Sequence, residues 1–326
     1  AFGSTRIRPS STIRKFAMTI LVTGGAGFIG STIAEAYLRL GHEVVVIDDL
    51  STGVLDNVPK GVTFYQMDIR DEGVVEILHR HGVDVINHHA AQIDVRRSVL
   101  DPKHDISVNV LGSINMIEAG LRHGISRFIF ASTGGAIYGE QDAYPADETH
   151  ATNPVSPYGI SKLTVEKFLH YYHVERDLTY TVLRYTNVYG PRQNPHGEAG
   201  VIAIFCDKML RGNDPVINGD GLQTRDYVYV DDVVRASIAA LDMSGTDTFN
   251  ICTGVETTVT SIFHDLNAGL DGAIREVHGP GKPGEQRRSV CTYGKIQTAL
   301  GWTPTVGMKD GLLRTLEFFR EKFANE

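Results

Sequence analysis

Cysteine is scarce in this chain. Three occur in 326 residues, Cys206, Cys252 and Cys291, far apart and odd in number. That excludes a disulfide framework and a cysteine-built metal site, and it points to a reducing, cytoplasmic compartment. No run approaches the ~18 apolar residues of a membrane span. Positive charge is also short: 31 Lys and Arg stand against 39 Asp and Glu, for a formal charge of -8. Such a body repels nucleic acid rather than gathering it. Internal repeats, low-complexity tracts and coiled-coil heptads are missing too. The remainder, 42% hydrophobic and 21% charged, is ordinary globular composition with room for one large or two modest domains.

Residues 1–17 are basic, rich in Ser and Thr, and precede Met18. They are expected to be a leader or tag outside the fold, which would start at Met18.

The chain is organised around Thr19–Gly30, TILVTGGAGFIG. An apolar strand, Ile20 to Thr23, runs into Gly24, Gly25, Gly27 and Gly30, and an apolar helical run follows. Glycine lets backbone N–H groups and the positive helix end meet a diphosphate directly. On this reading Gly25 and Gly27 clear the diphosphate's path, and Gly30 lets the helix press on the strand. Glu43–Ile47 is a second strand with Asp48 at its end. An acid there accepts from both ribose hydroxyls and repels a 2'-phosphate, which favours NAD over NADP. A triphosphatase loop is excluded because Ser31 and Thr32, not lysine, follow Gly30.

Strand-like and helix-like runs then alternate, the pattern of an α/β Rossmann-type, doubly wound parallel sheet. Helices are expected at 28–40, 71–80, 102–123 and 157–175, and strands at 62–66, 84–87, 127–131 and 180–184. Counted from Ile20–Thr23, Asp68 follows the third strand of the chain, and Ser132 and Thr133 the fifth, at the carboxyl edge where ligands collect. After Tyr189-Gly190-Pro191 the alternation weakens. The expected division is an NAD-binding domain at 18–190 and a smaller mixed α/β nucleotide-sugar domain at 191–326.

A second stretch, Ser156-Pro157-Tyr158-Gly159-Ile160-Ser161-Lys162, reads as a helix start. Ser156 caps it, Pro157 takes its first position, and Lys162 lies one turn beyond Tyr158 on the same face. A tyrosine ordinarily loses its proton near pH ~10, so work as a base near neutrality needs help on the order of 4 kcal/mol. A neighbouring ammonium, a helix N-terminus and a nicotinamide cation all push that way.

These motifs, with HHAAQ at 88–92, Asn109, STGGAIYG at 132–139, RYTNVYGPRQ at 184–193 and RDYVYVDDVV at 225–234, resemble the extended short-chain dehydrogenase/reductase family. Within it the chain is most similar to the nucleotide-sugar 4-epimerases, and the resemblance runs from Met18 to the C-terminus. It implies interconversion of UDP-glucose and UDP-galactose by transient oxidation at C4 and return of hydride to the opposite face. It also implies bound NAD, no metal, and a homodimer formed through the helices at 102–123 and 157–175.

Residue by residue, the resemblance makes Tyr158 the acid/base, Lys162 the residue that holds the nicotinamide ribose, and Thr133 the partner of the reacting hydroxyl. Ser132 is the neighbouring candidate for that last role. Gly24, Gly27, Phe28, Ile29, Gly30, Asp48, Asp49, Asp68, Ile69, Ala90 and Asn109 would line NAD. Asn187, Arg225 and Glu285 match positions that hold UDP, and Lys282 stands where the family more often has arginine. Ser289 aligns with a position gating the sugar pocket; its small size implies activity on UDP-N-acetylglucosamine as well. Gly134 and Gly135 replace the acid that dehydratases carry, which favours epimerisation.

Other residues read as structural. His88 and His89 are expected to be satisfied residues near the cofactor edge, His170 and His173 an exposed face, Asp231 and Asp232 a cap and dipole partner, and Cys291 an inert thiol. Two alternatives compete: another NAD-dependent sugar-nucleotide enzyme such as a UDP-glucuronate 4-epimerase, and a silent NAD-binding interaction protein. Intact Thr133, Tyr158 and Lys162 speak against the latter.

Overall fold

The computed structural model describes residues 17–196, 200–281 and 286–324. Lys282 and Glu285 lie outside the described residues, as do residues 1–16 of the N-terminal segment. The strands are β1 (Thr19–Thr23), β2 (Glu43–Asp48), β3 (Thr63–Gln66), β4 (Val85–His88), β5 (Arg127–Thr133), β6 (Tyr180–Tyr185), β7 (Asn187–Tyr189), β8 (Val216–Asn218), β9 (Thr224–Tyr229), β10 (Asp247–Ile251), β11 (Glu256–Thr258) and β12 (Val277–Gly279). The helices are α1 (Phe28–Arg39), α2 (Val74–His81), α3 (Val95–Leu100), α4 (Pro102–Ile106), α5 (Ser113–His123), α6 (Pro157–Arg176), α7 (Val201–Leu210), α8 (Val230–Leu241), α9 (Val259–Ala268), α10 (Gly294–Leu300) and α11 (Met308–Ala324).

The large sheet has the order β10-β6-β5-β4-β1-β2-β3, and its pairings are parallel throughout. Helices cover both faces, so the interiors of β1 and β2 read as unbroken apolar runs. Alternation still sorts their side chains. Ile20, Val22, Val44 and Val46 pack in one core with α1 and α8, while Leu21, Val45 and Ile47 pack in the other with α2, α5 and α6. Thr23 pairs with both Ile47 and His88, so the chain leaves β1, β2 and β4 at one level of the carboxyl edge.

The expected helix at 102–123 is continuous in path but not in winding. Ser107–Gly112 form a π turn between α4 and α5, of the kind often found beside functional sites. Gly112 packs there on Ile69, whose Cδ1 would lie 2.6 Å from an added Cβ.

From residue 187 onward a three-stranded sheet, β11-β9-β7, and a two-stranded one, β12-β8, carry α7, α9 and α11 over a third core that includes Ile217, Phe205, Phe263 and Phe319. The division at 190 is not clean. β10 returns to pair with β6, and α8 packs against α1, because the large sheet's last strand and one covering helix come from the later half.

Asp232 does more than cap α8. It is fully buried and accepts from Arg235, the Thr305 hydroxyl and the Thr305 and Val306 amides at 2.6–3.1 Å. The Trp302 indole donates to its carbonyl at 3.0 Å. Asp231, half exposed, sits 3.8 Å from Arg314. Asp232→Ala leaves these donors unpaired and is expected to cost roughly 3 kcal/mol in denaturant unfolding. Asp231→Ala should stay within about 0.5 kcal/mol; equal losses would remove the anchoring role.

Candidate active site

At the carboxyl edge, where the sheet order reverses between β1 and β4, lies a cleft of about 290 Å³. Each strand contributes the residues that follow it: Gly24 and Gly27 after β1, Asp48 and Asp49 at β2, Asp68 and Ile69 after β3, His89 to Ile93 after β4. Phe28, Ile29, Gly30 and Ala90 also line it, as do Ser132, Tyr158, Lys162 and Tyr185.

The glycine turn is shaped for close approach of a diphosphate. Gly24 has φ +70, a conformation costly for any residue with a Cβ. A Cβ on Gly27 would meet only the Gly24 carbonyl, at 3.2 Å, so it would stand in the cleft. Gly27 is also the N-cap of α1 and offers no side-chain cap, and the first turn holds no acid. The opening amides of α1 and its positive end therefore remain free for an anion. A Cβ on Gly30 would overlap the Gly24 carbonyl oxygen, in keeping with close packing of helix on turn. Gly25 differs from expectation: its Cβ would lie 2.6 Å from the Val46 side chain, so it serves packing against β2 rather than ligand approach.

Asp48 is buried at the cleft wall, with Oδ2 accepting from the Ala26 amide at 2.9 Å and Oδ1 from the Leu50 amide at 2.8 Å. Each oxygen keeps a lone pair for a ribose hydroxyl. Burial raises its pKa and the two amides oppose that. Asp68 is gripped by Arg70 through a forked contact at 2.5–3.1 Å, which holds its carboxyl below the usual range. The donor set fits a dinucleotide: free amides for the diphosphate and carboxylates for ribose and base.

Ser156 caps α6 by accepting from the Gly159 amide at 3.1 Å. The Ser98 hydroxyl accepts from the Tyr158 amide at 3.2 Å. One turn on, Lys162 Nζ donates to the Ala131 carbonyl at the end of β5 (2.8 Å), 6.0 Å from the centre of the Tyr158 ring. Burial draws the Lys162 pKa down to about 8, against the opposing charges of Asp105 and Glu166. The tyrosine departs from the sequence argument. Burial, followed by the Asp105 charge, pushes its pKa up, so Lys162 by itself does not make the phenol acidic.

Ser132 and Thr133 separate here. The Ser132 hydroxyl donates to Glu166 at 2.5 Å, and Glu166 is clamped by Arg184 at 2.6 Å. Thr133 is buried at the strand end beside Gly135, whose added Cβ would sit 3.8 Å from Thr133 Oγ1 and 3.7 Å from Asn187 Oδ1. Asn187 and Arg225 occupy neighbouring strands of the small sheet. Ser289, buried, follows Arg288, which bridges to Thr224 on that sheet. Asn109 stands behind the cleft wall: its side chain bonds the Gln92 amide and carbonyl at 2.8 and 2.9 Å, so it shapes the lining.

Several groups were missed. Gln92, Asp105 and Arg70 are bound into the site's framework; Asp105 sits four residues before Asn109, a same-face spacing that could have flagged it. His88 is satisfied by Thr23 and Ser113, but His89 Nε2 is buried without a partner and its ring stacks on Tyr185. Cys291 is buried, and its thiol is pushed up by burial. Among the described residues, no group of three or more His, Cys, Asp or Glu could hold a metal, and no helix is long and apolar enough to cross a membrane.

Two outcomes follow from this geometry. Gly27→Ala should keep its melting temperature while dinucleotide affinity, read by titration calorimetry, falls at least tenfold; Gly30→Ala should lose stability by about 1–3 kcal/mol. Burial and then Lys162 lower the His89 pKa to about 3. The unfolded chain therefore binds a proton that the folded one refuses between pH ~6.5 and 3, and stability falls as pH drops through that window. His89→Gln should flatten that slope by up to one proton.

The model of the NAD dependent epimerase/dehydratase family matches residues 20–252. A protein of Methanocaldococcus jannaschii described as a putative UDP-glucose 4-epimerase is 42% identical, over 92% of this chain and 98% of its own. Among solved structures, the UDP-glucose 4-epimerase of Thermotoga maritima with UDP-glucose superposes with a TM-score of 0.92 at 45% identity, covering 94% of this chain and 100% of that one. The Thermus thermophilus UDP-glucose 4-epimerase in complex with NAD gives 0.87 at 43% identity, over 93% and 99%. On the match of its glycine turn, its parallel sheet and nine-tenths of its length, the chain belongs to the NAD-dependent epimerase/dehydratase family.

Proposed function

We propose that this protein is an NAD-dependent UDP-sugar 4-epimerase that interconverts UDP-glucose and UDP-galactose. The observation that carries this reading is the placement of Tyr158 and Lys162 in the wall of the same cleft as the glycine turn and Asp48. The amides opening α1 would hold the diphosphate of NAD, Asp48 its adenosine ribose, and Asp68 with Ile69 its base, all from the lining of one cleft. NAD, when bound, supplies a reversible acceptor at the sugar's C4.

The chain's own part is to orient and to move protons. Lys162, fixed on the Ala131 carbonyl, presents its ammonium beside the phenol. Tyr158, once the positive charge of a bound nicotinamide lets its phenol proton pass to solvent, would take the proton from the sugar O4 as phenolate and later give it back. Thr133 rather than Ser132 holds that hydroxyl, because Ser132 already donates to Glu166. Asn187 and Arg225 from the small sheet hold UDP, and the resemblance adds Lys282 and Glu285 to that role. The small Ser289 admits an N-acetyl group. Residues 18–190, completed by β10 and α8, form the NAD half, and the small sheets with α7, α9 and α11 form the sugar-nucleotide half.

The protein is also a homodimer on this reading. Leu111 beside α5 and Ile160, Tyr171 and Val174 on α6 are all more than half exposed, an apolar face that a second copy would cover. Three free, buried cysteines suit a cytoplasmic setting.

Incubation of the purified protein with UDP-glucose and no added cofactor should yield UDP-galactose, and UDP-N-acetylglucosamine should also turn over. Tyr158→Phe should lower kcat by at least a hundredfold with folding and NAD content intact. Turnover that survives Tyr158→Phe, or its absence with every UDP-sugar, overturns the reading. A monomer by light scattering removes the dimer.

A further inference from the structure

Asp105 is fully buried on α4. Its Oδ1 accepts from the Gln92 amide group and the Asn109 amide group, both at 3.0 Å, and Oδ2 from the Ser161 hydroxyl at 2.6 Å. Gln92 Nε2 and Asn109 Nδ2 can only donate, and the Ser161 hydroxyl donates to the other oxygen, so each partner offers this carboxyl a donor. Among the described residues no cation is paired with it. A buried, unpaired carboxylate is costly and calls for a reason.

Ser161 precedes Lys162 on α6, and the reach of the Asp105 charge extends to Tyr158 and Lys162. The other charged groups nearby are Asp101, Lys103 and Arg97, all exposed, and half-buried His104. Lys162 in turn faces Glu166 and the neutral His88 and His89. We propose that Asp105 is a positioning residue, an ionised counter-charge that keeps the Tyr158–Lys162 pair at rest as phenol plus ammonium.

A negative charge behind the pair acts on both members in one direction: it opposes loss of the phenol proton and opposes loss of the ammonium proton. Three hydrogen bonds from three segments hold the charge at a fixed place. The proposal rests on the reading of Tyr158 and Lys162 as the proton-handling pair.

The test is Asp105→Asn, which can keep the amide bonds to its oxygen while the Ser161 hydroxyl turns to accept. Lys162 is followed by carbon-13 lysine NMR without sugar nucleotide, its signal assigned by loss in Lys162→Met. The wild-type midpoint is expected at about 8, and Asp105→Asn should lower it by about one pH unit. Ser161→Ala, which removes a bond but no charge, should leave it in place. An unmoved midpoint in Asp105→Asn, or an equal shift in Ser161→Ala, overturns the proposal. Should Asp105→Asn not fold, carboxyl NMR of the wild type decides: Asp105 ionised at neutral pH supports the proposal, and protonated Asp105 overturns it. In turnover, the alkaline limb of the pH profile should move to lower pH with the lysine midpoint. Wild-type protein without turnover would strike the functional reading alone, since the lysine titration needs no substrate.

Discussion

The bond from Lys162 Nζ to the Ala131 carbonyl, 2.8 Å long, fastens α6 to the end of a central strand. Without that fixed ammonium, α6 would still pack on the sheet through Val165 and Leu169. Its cleft-facing turn would then have no defined height above the edge where Gly24, Asp48 and Ser132 emerge. A charged amine does this well because it is buried and cannot trade the carbonyl for water. The same burial makes its charge expensive, and Asp105 and Glu166 oppose that cost.

Support for this contact spreads outward in two buried layers. One runs from Asp105 through Asn109 and Gln92 to the loop behind β4. The other runs from Ser132 through Glu166 and Arg184 to Tyr138 and Asn250. The second ends on β10, so the carboxyl edge of the sheet and the returning strand share one polar network. Such networks rigidify when every member is satisfied.

Much of this was legible from local pattern. Strand β1, the glycine turn and the Ser156-Pro157 start of α6 each obey a short-range rule, and each appears where that rule puts it. Strands β7, β11 and β12, three residues apiece, have no local signature because their pairing partners lie far along the chain. The π turn at Ser107–Gly112 was invisible because apolar periodicity does not register one extra residue per turn. Within the site, residue identity told which side chains were acids or bases but not what they already bonded. Only coordinates distinguish Ser132, engaged by Glu166, from Thr133, and reveal that Gly25 answers to Val46 rather than to a phosphate. The rise in the Tyr158 pKa has the same origin: burial is a property of the assembled wall, not of the Y-x-x-x-K spacing.

The return of β10 to the edge of the large sheet settles how the two halves can be separated. β6 is buried along its whole length, and β10 supplies its outer neighbour from Asp247 to Ile251. A fragment cut at residue 190 would leave this six-residue strand with an open ladder of N–H and C=O groups, a template for sticking to other chains. A single scissile cut at residue 190 therefore leaves the earlier segment without the strand that closes its sheet.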